Sequence, residues 1–278
     1  MILSALKGMD AREMAEKHTI LRAVVGSTAH GLSLPGQDDR DEMGIAIEPP
    51  EYVIGLKRFE QWVHRTQPEG VRSGPGDQDI IVYSLRKWAR LALNGNPTVL
   101  LLLFVPWLME DEAGGPPHVM ITVDTEWGKT LRELAPAFVS KRAGRAFLGY
   151  LTAQKERLTG DRGQKRTKRE DLVCRYGYDV KYAMHVFRLG CQGVELLETG
   201  RVTLPMPEPW RGAALAIRHG KTLLPVVTAA ISSFEERLTT LLKTSPLPDE
   251  PDYAVVNAFL VEAYRDYWIE HGFVRREE

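Results

Sequence analysis

The apolar residues of this chain change their period several times, and the changes predict an α/β beginning followed by helices. Asp10 with Glu13 three residues on has the form of a capping box, so a helix is expected from there to about His18. Ile20 to Val25 is a short, branched, nearly all-apolar run and reads as a buried strand that stops at Gly26-Ser27. From Asp41 the pattern alternates, with Asp41, Met43, Ile45 and Ile47 on one face and Glu42, Gly44 and Ala46 on the other, until Pro49-Pro50 ends it. Residues 68 to 78 (PEGVRSGPGDQ) read as a flexible connection, and Asp79 to Tyr83 (DIIVY) as a third strand. Ser84 offers an N-cap for LRKWARLALNG, and TVLLLLF predicts another helix, with Val99 to Leu108 buried. After a loop around Gly114 to Pro117, helices are expected at roughly 140 to 159, 177 to 199, 222 to 243 and 252 to 270.

The fold class is therefore α/β (α+β), a small mixed sheet flanked by helices and followed by a helical C-terminal region. The change of pattern places a boundary between 110 and 135, giving expected domains 1–125 and 126–278. Neither a fixed-period repeat nor a low-complexity segment is present.

Composition narrows the classes little. The 278 residues, 44% hydrophobic, can bury a sizeable core, and 36 Lys+Arg against 37 Asp+Glu leave no global field to draw in nucleic acid or an anionic membrane. The apolar stretch Val99 to Leu108 is ten residues, too short to span a bilayer. Two cysteines only, Cys174 and Cys191, and no secretory leader pattern make the cytoplasm the expected compartment.

Charge becomes informative locally. Asp38, Asp39 and Asp41 crowd together about a dozen residues after Gly26-Ser27. On a strand, Asp39 and Asp41 project to one face and Asp38 to the other. Two carboxylates on one face can hold a divalent cation, and Asp79 at the head of DIIVY is the best third donor. Hard carboxylate oxygens suit Mg²⁺, with Mn²⁺ as the substitute. Gly26-Ser27 would complete a phosphate cradle, because glycine admits close backbone approach and the serine hydroxyl adds a donor. A solvated turn rich in aspartate is the plainer explanation of QDDRD taken alone.

Gly26-Ser27, Ala29, Gly31, Pro35, the Asp39-Arg40-Asp41 triplet and Gly44 together resemble the signature of the minimal nucleotidyltransferases of the DNA polymerase beta superfamily. SLRKWARLALNGNPTVLLLLF and YGYDVKYAMHVFRLGCQGVELLETG extend the likeness to a bacterial and phage branch of that superfamily. The resemblance implies that Asp39 and Asp41 bind the metals, that Gly26 and Ser27 bind the triphosphate, and that Asp79 takes the third-carboxylate place. The implied activity is two-metal transfer of a nucleoside monophosphate from an NTP such as ATP to a hydroxyl acceptor, with release of pyrophosphate. The acceptor stays open among RNA or a tRNA end, a protein side chain and a small molecule, and a toxin or defence role is a further option. One departure from the pattern is Asp38, where many members of the branch carry Ser or Thr. What looks like one extra residue in the preceding turn, near Gln37, leaves an Asp38/Arg40 register as a competitor, in which the second carboxylate is lost and the chain would be a non-catalytic nucleotide or RNA binder. Gly44, three residues after Asp41, supports the Asp39/Asp41 register.

Further candidates lie outside the acidic cluster. On the 177 to 199 helix, Lys181, His185, Arg188 and Gln192 fall on one polar stripe, which either reaches the nucleotide or is a solvated face. His30 is a candidate nucleotide contact within the motif. Residues 161 to 169 (DRGQKRTKR) carry a local net charge of +4 and could bind RNA phosphates or form a solvated loop. The histidines and cysteines show no zinc-ligand spacing.

Overall fold

The computed structural model describes residues 10–34, 36–110, 117–159 and 169–275. The expected Gly114 to Pro117 loop, Pro35 of the motif and all but Arg169 of the basic stretch at 161 to 169 lie outside the described residues, Pro117 excepted.

The first half carries the sheet. Helix α1 (Ala11–His18) starts at Asp10, whose side chain accepts from the Glu13 amide. It leads into β1 (Thr19–Val24), the short turn α2 (Gly26–Ala29) and β2 (Arg40–Ala46). Then come the turn α3 (Pro50–Val53), β3 (Gln61–Arg65) and β4 (Gln78–Ser84). The five-stranded sheet has the order β3-β4-β2-β1 with β7 (Ile121–Asp124) at the far edge. β2 and β4 run parallel and the other pairs antiparallel, so the sheet is mixed as expected. Ser84 caps α4 (Leu85–Leu93) by accepting from the Lys87 amide, and Asn96 caps α5 (Pro97–Leu100).

The expected buried helix over Val99 to Leu108 is not formed. After α5 the chain tightens into a 3₁₀ turn over Leu101–Phe104, and Val105 turns extended at φ −62°, ψ 125°. Val105 precedes Pro106, whose ring disfavours helical backbone in the residue before it. Leu108–Met109 (β5) then pairs with His118–Val119 (β6) in a small separate ribbon.

The second half is helical: α6 (Glu126–Glu133), α7 (Ala135–Phe138), α8 (Lys141–Thr159), α9 (Glu170–Tyr176), α10 (Val180–Thr199), α11 (Trp210–Arg218), α12 (Leu224–Thr244) and α13 (Tyr253–Glu270). The expected 177 to 199 helix begins at Val180 because Gly177 closes α9 in the left-handed conformation at φ 81°. Helix α10 packs on α8, α11 and α12 and is buried along most of its length.

The two faces of the sheet have different cores. Met43 and Ile45 join a large cluster that continues through Trp88, Phe138, Phe147 and α10 to Tyr264 and Tyr267 of α13. Ala46, Ile80 and Val82 point the other way and pack with Met14, Tyr52 and Phe59. The boundary expected at 125/126 falls between β7 and α6, on either side of which residues share the larger core. No described helix is long and apolar enough to cross a membrane.

Candidate active site

Strand pairing assembles the acidic cluster. In the parallel β2/β4 register Asp41 lies beside Asp79, and Asp39 stands two residues before Asp41. One carboxylate oxygen from each of Asp39, Asp41 and Asp79 lies within 4.8 Å of the others. Three carboxylates this close repel one another. Burial, then the charges of Asp39 and Asp79, push the Asp41 carboxyl up to about 6. The set offers only hard oxygen donors and is half-buried, which fits a divalent cation such as Mg²⁺.

Gly26 holds the turn against this cluster. Its φ of 63° is left-handed, and a Cβ placed there would run into Asp41 Oδ2. The Val25 amide donates to the Asp41 carbonyl at 2.9 Å, so the glycine turn and the aspartate strand are tied directly. Ser27 lines the same cavity, which has a volume of about 630 Å³.

Asp38 has a different place. Its fully buried side chain accepts from Lys181 Nζ at 2.7 Å, Arg218 NH2 at 2.6 Å and the Leu34 amide at 2.9 Å. Burial works against this charge, but the Lys181 and Leu34 hydrogen bonds and the Arg218 charge hold the carboxyl below its usual value. Arg40 turns to the opposite face of the sheet and donates to Glu42 Oε1 at 2.7 Å. The Asp38/Arg40 pair therefore lies outside the carboxylate cluster.

The polar stripe of α10 faces the cavity and not solvent: Lys181, His185 and Arg188 line it together with His30, Thr98, Leu101 and Met184. Arg188 is buried, and burial lowers its guanidinium pKa to about 10. Among the described residues no carboxylate pairs with it. Instead it donates to Gln192 Oε1 at 2.7 Å and contacts His185 Nδ1 at 2.8 Å.

Since a guanidinium only donates, His185 must accept at Nδ1 and carry its proton on Nε2. Gln192, accepting through its oxygen, turns its amide nitrogen to His30 Nδ1 at 3.0 Å, so His30 also carries its proton on Nε2. Burial and the Arg188 charge keep both rings neutral, His185 at about 3. This wall of the cavity thus offers hydrogen-bond donors and one uncompensated positive charge, the chemistry that receives an oxyanion.

Several contributors carried no signal in the sequence. Asp79 accepts from Gln67 Nε2 at 3.0 Å and Ser73 Oγ at 2.9 Å, both in the connection between β3 and β4. Arg65 of β3 also lines the cavity, as does Arg169, the one described residue of the basic stretch at 161 to 169. Gln192 is marked in the sequence by its place on the stripe, whereas nothing local marks Arg218 as the partner of Asp38.

No curated protein matches the chain. Among solved structures, a nucleotidyltransferase-like protein from Exiguobacterium sibiricum 255-15 is matched at 14% identity over 96% of this chain and 80% of that one, with a TM-score of 0.28. The model of the RNA repair pathway DNA polymerase beta family matches residues 1–262, nearly the whole length. The chain therefore belongs to the RNA repair pathway DNA polymerase beta family, within the nucleotidyltransferases of the polymerase beta type.

Proposed function

We propose that the protein transfers a nucleoside monophosphate from an NTP to a hydroxyl of RNA and releases pyrophosphate. The observation that carries this reading is the convergence of Asp39, Asp41 and Asp79 beside the Gly26 turn. Membership in a family named for RNA repair supports RNA as the acceptor. The three carboxylates would hold Mg²⁺ (or Mn²⁺), which supplies charge neutralisation at the transferring phosphoryl group and a lowered pKa for the attacking hydroxyl.

The remaining roles fall to the chain's own residues. Gly26 leaves space for the phosphate tail beside the β1 terminus, and Ser27 donates to it. Arg188, with the Nε2 protons of His185 and His30, receives phosphate oxygens as charge builds on the leaving group. Lys181 closes the cavity from α10 while tied to Asp38. Asp79, held by Gln67 and Ser73, stands where the attacking hydroxyl is oriented.

A titration of NTP with and without Mg²⁺, on the wild-type chain and on Asp39→Asn/Asp41→Asn, tests the assignment. Mg²⁺-dependent tightening in the wild type and its loss in the folded double variant is the expected result. Equal Mg²⁺-dependent binding by both proteins would refute it.

A further inference from the structure

The face of the sheet turned away from the carboxylates carries a second pocket, of about 260 Å³, lined by Arg12, Glu16, Arg22, Trp62, His64 and Gln78 among others. The edge strand β3 joins the two faces. Among the described residues it pairs only with β4, in a register that sets Val63 opposite Ile81 and Arg65 opposite Asp79, on the cavity side. Alternating with them along the strand, Trp62 stands opposite Val82 and His64 opposite Ile80, on the reverse side. Their rings are nearly parallel, 7° apart in plane with centroids at 5.4 Å.

On this face of the sheet three guanidiniums are fixed in one manner, those of Arg12 and Arg22 lining the pocket beside the aromatic pair and that of Arg40 sharing Glu42 with Arg22. Arg22 Nε donates to Glu42 Oε2 at 2.6 Å, Arg40 Nε to Glu42 Oε1 at 2.7 Å and Arg12 Nε to Glu16 Oε1 at 2.7 Å. Each uses its inner nitrogen, so among the described residues the terminal amino groups have no partner. The Glu42 side chain is 2% exposed and lies beneath its two arginines, where a ligand does not meet its charge. Oriented guanidinium forks bind phosphate, and exposed aromatic rings stack bases without regard to sequence.

We infer that this reverse face is a docking site for single-stranded RNA, whose chain crosses the β3 edge to bring a hydroxyl into the cavity. Phosphates lie against Arg12, Arg22 and Arg40, and a base stacks on Trp62 and His64. The role of this strand as acceptor rests on the proposed transfer reaction, whereas the docking itself does not.

The test is fluorescence anisotropy of labelled oligoribonucleotides, one of about three and one of about twelve nucleotides, on the full chain. Trp62→Ala removes the ring that packs on the core. The double variant Arg12→Ala/His64→Ala changes exposed residues only and serves if the first fails to fold. Both variants should bind the longer strand about tenfold more weakly, the double variant with a shallower salt dependence. Binding of the short strand and of Mg²⁺-NTP should stay as in the wild type. Wild-type affinity of a folded variant for the longer strand, or no binding by the wild type, would overturn the inference. A wild type that binds the longer strand through this face yet releases no pyrophosphate from NTP would remove the transfer reaction and leave the docking site standing.

Discussion

Asp38 and Asp39 are neighbours in the chain, yet one is neutralised by two cations and the other stands among carboxylates. Asp38→Asn should cost about 3 kcal/mol in denaturant unfolding, because Arg218 then keeps a buried charge without its counter-ion. Asp39→Asn should change stability by less than about 1 kcal/mol, or raise it, since it removes a repulsive charge. The opposite ranking would place the functional pair in the other register.

Asp41 gives a pH signature. In the metal-free folded protein its carboxyl keeps a proton up to about pH 6, whereas the unfolded chain loses that proton near 3.8. The folded state binds the extra proton in that window, so this group's contribution to stability falls as pH rises from 3.8 to about 6. A cation must displace the same proton. Mg²⁺ affinity measured by titration should drop up to about tenfold per pH unit on acidification below about 6, and Asp41→Asn should lose that slope along with most of the affinity.

The alternation beginning at Asp41 makes the facing of Asp41 legible, whereas β2 starts at Arg40, so Asp39 joins the cluster from just before the strand and its facing follows only by continuing the alternation. Partners such as Gln192 and His30, separated by 162 residues, were beyond any local pattern.

At the scale of elements, the long amphipathic helices and the three inner strands were legible because burial imposes a clear period on them. The edge strands were not. β3 is exposed at every position but Trp62, which is only half-buried, and β7 has four residues, so neither shows alternation. Nor did the apolar run at 99 to 108 reveal that Pro106 ends its helical character. The period of helix α13 is legible in the sequence, but its anchorage is not. Tyr264 Oη donates to Glu48 Oε2 at 2.6 Å and accepts from the Arg86 amide at 3.2 Å, while Trp268 Nε1 donates to the Glu48 carbonyl at 2.8 Å. Glu48 is fully buried, and that burial raises its carboxyl pKa. Tyr264→Phe should therefore lower the denaturant midpoint by the equivalent of about 2 kcal/mol with an unchanged slope. A change in the slope would mean that α13 unfolds separately from the sheet.

For the whole molecule, the cavity is a joint product of both halves. The sheet supplies the carboxylates and the Gly26 turn, α10 supplies Lys181, His185 and Arg188, and Asp38 ties the two together through Lys181 and Arg218. We retain 1–125 as the catalytic unit and 126–278 as the helical wall as a proposal about the division of labour. The acceptor was the least legible property, since phosphoryl transfer requires only a positioned hydroxyl and leaves no signature of what bears it.

The most direct test is incubation of the full chain with an α-labelled NTP, Mg²⁺ and a single-stranded oligoribonucleotide with free terminal hydroxyls. Label should enter the RNA with equimolar pyrophosphate, transfer should stop when the metal is chelated, and Asp39→Asn/Asp41→Asn should lower the rate about a thousandfold or more. Metal-independent labelling, undiminished transfer by the double variant, or bound NTP that releases no pyrophosphate in the presence of RNA would contradict the proposed transfer.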